Sequence, residues 1–147
     1  MNPEEKFRDK YRIPSARLQS YDYGQNGAYF ITMCTQNREC FFGNTRNGEM
    51  KLSEMGEIVA AEWAKTPIIR TNVVLGEWVV MPNHFHAVVA IDNHAATVET
   101  HSNASLQQSQ YRNKFGPQSC NLSAIIRGFK GATTKQIHVA GFNPDIA

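Results

Sequence analysis

No hydrophobic run in this 147-residue chain approaches the roughly 20 residues that a membrane-spanning helix requires. A helical anchor is therefore not expected, and no membrane partner. The charged opening from Met1 to Arg12 is not followed by the apolar stretch of a secretory signal, so the reading is a cytoplasmic protein. Cysteine is scarce. Cys34, Cys40 and Cys120 are odd in number and include no CxxC pair, which argues against a disulfide scaffold and a closed zinc knuckle and for reduced thiols. Also missing are HExxH and any internal repeat. What is present, 41% hydrophobic residues, suffices for the core of one domain spanning 1–147.

The net charge of +2 is too small to announce a nucleic-acid partner, but its distribution is uneven. From Tyr111 onward Arg112, Lys114, Arg127, Lys130 and Lys135 stand against the single acid Asp145, and Lys6 to Arg17 is also basic. Both segments suit an anionic partner, and both equally suit solvated surface charge.

Residues 1–27 are polar, with Pro14, Gly24 and Gly27, and read as an N-terminal arm ending in a turn. Ala28 to Thr35, rich in aromatic and β-branched residues, predicts a core strand. Asn47-Gly48 predicts the turn of a small hairpin. Ser53 caps a helix whose apolar positions Leu52, Met55, Ile58, Val59 and Trp63 recur at three-to-four spacing until Thr66-Pro67 stops it. Val73 to Met81 reads as extended, and Pro82-Asn83 turns it tightly into a strand from His84 to Ile91. These two strands are expected at the centre of the sheet. Residues 92–120 are rich in Asn, Ser, Gln and Thr and read as a mobile polar loop within the domain. A second helix starts near Ser119 or Asn121 and runs through Ile125, Phe129 and Ile137, with Arg127, Lys130 and Lys135 off its apolar stripe. Gly128 and Gly131 weaken it unless a phosphate strand or a sheet packs close there. The element order predicts an α+β fold, a largely antiparallel sheet covered by two helices.

The run Met81-Pro82-Asn83-His84-Phe85-His86 carries the chemistry. Strand alternation sends both imidazoles to one face, with Cα atoms roughly 6.6 Å apart. A His-x-His pair alone fits a structural role as well as a metal-ligating one. A two-residue turn would set His84 against Met81, His86 against Val79 and position 88 against Glu77, making Glu77 a candidate for supporting a metal. Two imidazoles are too few for hydrolytic zinc; a divalent ion such as Mg or Mn, completed by phosphate oxygens, fits better.

Four blocks in order, Gly27–Thr32 with Thr35–Arg38, Gly48–Met50 with Leu52, Val79–His86, and Ile125–Lys130, resemble the REP-associated tyrosine transposases and related single-tyrosine HUH transposases of bacterial insertion sequences. The resemblance covers about residues 12 to 138. It implies a ferredoxin-like sheet on which His84 and His86 hold a divalent cation against the scissile phosphate of single-stranded DNA. It further implies a tyrosine on a late helix that attacks this phosphate, giving a 5′-phosphotyrosine and a free 3′-hydroxyl, and recognition of DNA hairpins. Relatives act as dimers or alone, so a homodimer is compatible. DNA-contact candidates are Arg38, Arg127, Lys130 and Lys135, with Arg12 and Arg17 behind them.

None of Tyr11, Tyr21, Tyr23, Tyr29 and Tyr111 matches the family's nucleophile, which lies beyond the basic helix. The expectation is a truncated transposase domain, inactive alone. Competing readings are a non-catalytic DNA-binding remnant that still grips a hairpin, and an unrelated hydrolase using His84, His86 and Glu77 on water.

Overall fold

The computed structural model describes residues 18, 20–94 and 120–142. Within them the order is β1 (Gly27–Cys34), β2 (Gly43–Arg46), β3 (Glu49–Leu52), α1 (Glu54–Ala64), α2 (Thr66–Ile69), β4 (Val73–Met81), β5 (His84–Ile91) and α3 (Leu122–Val139), with a 3-10 turn over Gln36–Arg38. Most of the proposed arm and of the polar loop, together with Arg12 and Arg17, lies outside the described residues.

Local chemistry explains most boundaries. Asn47 and Gly48 both take left-handed backbone, φ 54° and 80°, as the tight turn between β2 and β3 requires. Ser53 accepts a hydrogen bond from the Gly56 amide, and Glu54 and Glu57 stand in the first turn of α1, where carboxylates offset the exposed amides. Thr66-Pro67 does end α1, but a further helical turn, α2, begins there with the proline in its first two positions. Proline is tolerated there because the amide it lacks would have no helical acceptor. Asn121 caps α3 by accepting from the Ala124 amide.

β1, β5 and β4 form one antiparallel sheet in that order, and β2 and β3 a separate two-stranded one. The expectation that both strands of the histidine hairpin are central is corrected. β5 alone is central, and β4 is an edge among the described residues. Since β1 and β4 each run antiparallel to β5, they are parallel to one another with β5 inserted between them. The architecture is α+β.

One face of this sheet is dry. Phe85, Ala87, Val89 and Ile91 from β5 join Ile31, Val80 and Val73 under Trp63 of α1 and Ile125 and Phe129 of α3. The Trp63 ring meets Phe85 and Phe129 edge-on, with centroids 5.2 Å and 5.0 Å apart, a favoured aromatic arrangement. With Trp63 fully buried, its replacement by alanine would cost about 3–5 kcal/mol. The two helices pin the sheet from one side, and among the described residues no element covers the other face.

Candidate functional site

The alternation along β5 decides what the open face carries. Phe85 and Ala87 point into the core, while His84, His86 and Val88 are half-buried on the other side. The two imidazole centroids are 4.7 Å apart with planes at 75°. Across the ladder His84 is opposite Cys34 on β1 and Met81 on β4, and His86 is opposite Thr32 and Val79. The two-residue turn thus gives the expected register. Thr32 Oγ1 is 2.8 Å from His86 Nδ1, and the Phe30 ring stacks on His86 at 5.4 Å and 22°. Phe30 is 69% exposed, so one edge of this aromatic surface faces solvent.

His84 is held differently. Its Nδ1 lies 2.7 Å from Asn83 Oδ1, and the turn bearing Asn83 is strapped to the loop after β1. The Thr35 amide donates to the Asn83 carbonyl at 3.0 Å and the Phe42 amide to the Pro82 carbonyl at 2.9 Å. Asn83 Nδ2 donates to the Arg38 carbonyl at 3.1 Å. Asn37 and Arg38 both have positive φ, 52° and 56°, a conformation costing about 1 kcal/mol or more per residue away from glycine. These bonds hold that turn in place and set exposed Arg38 beside the histidine strand.

The other basic candidates lie elsewhere. Arg127, Lys130 and Lys135 are exposed on α3, whose buried side packs into the core beneath the opposite face of the sheet. Lys130, Cys34 and Thr35 all line a cavity of about 120 Å³ at the end of β1, which makes Lys130 the α3 cation adjoining the histidine end of the sheet. Arg38 and the α3 cations therefore form two separate groups.

Glu77 stands on β4 at the level of Val88, as the expected register has it. Leu75 pairs with Val89 and Trp78 with Ala87, so Gly76 and Glu77 together oppose Val88 in a β-bulge. Val79 is the neighbour of His86, also as expected. Among the described residues no three His, Cys, Asp or Glu side chains group as metal ligands. Tyr21, Tyr23 and Tyr29 cluster with centroids 4.9–6.4 Å apart, around the core face of β1. Cys34, Cys40 and Cys120 are surface thiols outside any disulfide.

Sequence reasoning missed Thr32, Phe30 and the Asn83 side chain. The first two could be found from alternate positions on the first strand, Phe30-x-Thr32-x-Cys34, once that strand is known to adjoin the histidines. No helix among the described residues is long and apolar enough to cross a membrane.

An uncharacterized protein of Haemophilus influenzae is 35% identical to this chain over 120 residues, covering 82% of the chain and 65% of that protein. The chain thus spans slightly less than two thirds of this relative's length. No family model matches, and no solved structure matches.

Proposed function

We propose that this chain holds a phosphate of single-stranded or hairpin DNA beside a divalent metal on His84 and His86, as part of a single-tyrosine HUH transposase. The observation that carries the reading is the pair itself. Two imidazoles 4.7 Å apart share an open sheet face, each with Nδ1 engaged by a neighbouring side chain, which leaves Nε2 to meet a ligand. The pair fits an ion such as Mg or Mn whose remaining positions are filled by phosphate oxygens and water. Such an ion, when bound, supplies Lewis-acid polarisation of the phosphate.

The protein's own groups serve the same substrate. Arg38 places a cation beside the histidine strand, and exposed Phe30 offers a ring on which an unpaired base can stack. The inserted order of β1, β5 and β4 supports the ferredoxin-like assignment, since a strand between two parallel strands is the split βαβ arrangement. The phosphotyrosine step belongs to a residue other than the three described tyrosines. Tyr29 is buried and its phenol is pushed up to about 12, so it is a poor oxygen nucleophile. Tyr21 and Tyr23 pack with it.

A second reading, DNA gripping without catalysis, draws on α3. Its exposed cations stand on the helix that covers the sheet's opposite face, with Lys130 nearest the histidine end, and the helix contains no acid.

The test uses labelled single-stranded hairpin DNA with the chain and its H84A/H86A variant, with and without Mn²⁺. The transposase reading expects salt-dependent binding by both and Mn²⁺-strengthened phosphate contact in the wild type only. Binding indifferent to metal in both favours the gripping module, and absence of DNA binding rejects both readings.

A further inference from the structure

We infer that Asn83 is a positioning residue that decides which ring nitrogen of His84 carries the proton, and so which one is free to meet a metal. The metal half of this statement rests on the reading of His84 and His86 given above.

An asparagine after proline in a hairpin is ordinarily explained by the backbone, because asparagine tolerates positive φ. That explanation does not apply here. Among the described residues the non-glycine positions with positive φ are Asn37, Arg38 and Asn47, and Asn83 is not one of them. Its side chain is therefore the feature to explain.

The carboxamide is engaged at both ends. Nδ2 donates to the Arg38 carbonyl at 3.1 Å, and Oδ1 lies 2.7 Å from His84 Nδ1. A carbonyl oxygen only accepts, so the bond to Arg38 fixes which end of the amide is nitrogen. The amide oxygen turned to His84 also only accepts, and so His84 Nδ1 must donate. In the neutral ring the lone pair then sits on Nε2. A flipped amide would set oxygen against the Arg38 carbonyl and lose that bond. His86 has no such constraint, because the Thr32 hydroxyl at its Nδ1 both donates and accepts.

The same chain of bonds reaches Arg38. Its carbonyl orients the amide while its side chain is exposed, so the turn that presents a cation to phosphate also sets the proton on His84. Asn83 joins the two tasks.

Two-bond ¹H–¹⁵N NMR of the metal-free full chain at pH 8, with labelled histidine, reads the tautomer directly. Wild type is expected to show His84 protonated on Nδ1, N83A a redistribution towards Nε2–H, and N83D, which keeps an acceptor oxygen, the wild-type tautomer. Mn²⁺ titration should then show N83A weakened 10–100-fold and N83D within a few-fold of wild type. An Nε2–H tautomer in wild type, or an unchanged tautomer in N83A, overturns the inference. A wild-type chain with the expected tautomer that binds no Mn²⁺ counts against the metal reading and leaves the hold of Asn83 on the His84 proton supported.

Discussion

The guanidinium of Arg70 fills the space that a side chain on Gly128 would take: Arg70 Nη2 is 3.1 Å from the position of an ideal Cβ there. The same nitrogen donates to the Ala124 carbonyl at 3.0 Å, so the close approach that the glycine permits comes from an arginine, not from a phosphate strand or a sheet. Gly131, one turn on, has nothing within 4 Å of its Cβ position. Alanine at 131 should therefore stabilise α3 by up to about 1 kcal/mol through helix propensity. Alanine at 128 gains the same amount but displaces a charge-assisted bond worth about 1.5–3 kcal/mol, for a net loss of about 1 kcal/mol. Urea unfolding of the two variants should move their midpoints in opposite directions.

Tyr29 makes alkaline stability predictable. Burial, then its hydrogen bond with Tyr21, then the nearby negative potential of Tyr21, Asp22 and Tyr23, push its phenol from 10.0 up to about 12. Between pH 10 and 12 the unfolded chain releases this proton while the folded chain keeps it, so the unfolded state binds fewer protons and stability falls as pH rises. The loss is absent below pH 10 and levels off above about pH 12. Denaturant titrations across this window should show the decline in wild type and a shallower one in Tyr29→Phe.

Thr32 supports His86 as Asn83 supports His84. Thr32→Val removes the hydroxyl 2.8 Å from Nδ1 with little change in volume and should weaken Mn²⁺ binding about tenfold. Thr32→Ser keeps the hydroxyl and should restore most of that loss. Isothermal titration of the three proteins makes the comparison, and equal affinities would remove Thr32 from the site.

The two groups of cations should separate in DNA binding. Arg127→Ala with Lys130→Ala is expected to lower affinity for all sequences alike and to reduce the slope of log K against log salt by about one to two. Arg38→Ala should also cost affinity, and it should weaken the Mn²⁺ dependence of binding, because Arg38 stands beside the histidine strand. Filter binding over a salt series, with and without Mn²⁺, distinguishes the groups. Identical behaviour of both would show that the two faces do not act separately.

What could be read in the sequence follows from how far away each partner lies. Ser53, Asn121, Asn47-Gly48 and the Pro82-Asn83 turn could all be placed because the groups they bond or reverse are within a few residues. Phe85 and the histidines separated onto opposite faces for the same reason, since alternation is local. Thr32 and His86 are 54 residues apart, as are Arg70 and Ala124, and no local pattern announces such pairs. The central place of β5 depends on β1 returning beside it, and the separation of Arg38 from Arg127 and Lys130 depends on which face α3 covers. The bulge that sets Gly76 together with Glu77 opposite Val88 comes from a single inserted residue, which parity along a regular strand cannot foresee.

That insertion matters beyond the site. A strand bordering a sheet is a standing template for another chain, because it offers a regular row of amides and carbonyls. Two residues of β4, Gly76 and Glu77, crowd against the single Val88, so the row is broken midway, with an exposed carboxylate at the break. Val74, Trp78 and Val79, all exposed on this strand, would otherwise make it an adhesive border. Among the described residues, the irregularity in β4 thus also guards this border against edge-to-edge aggregation.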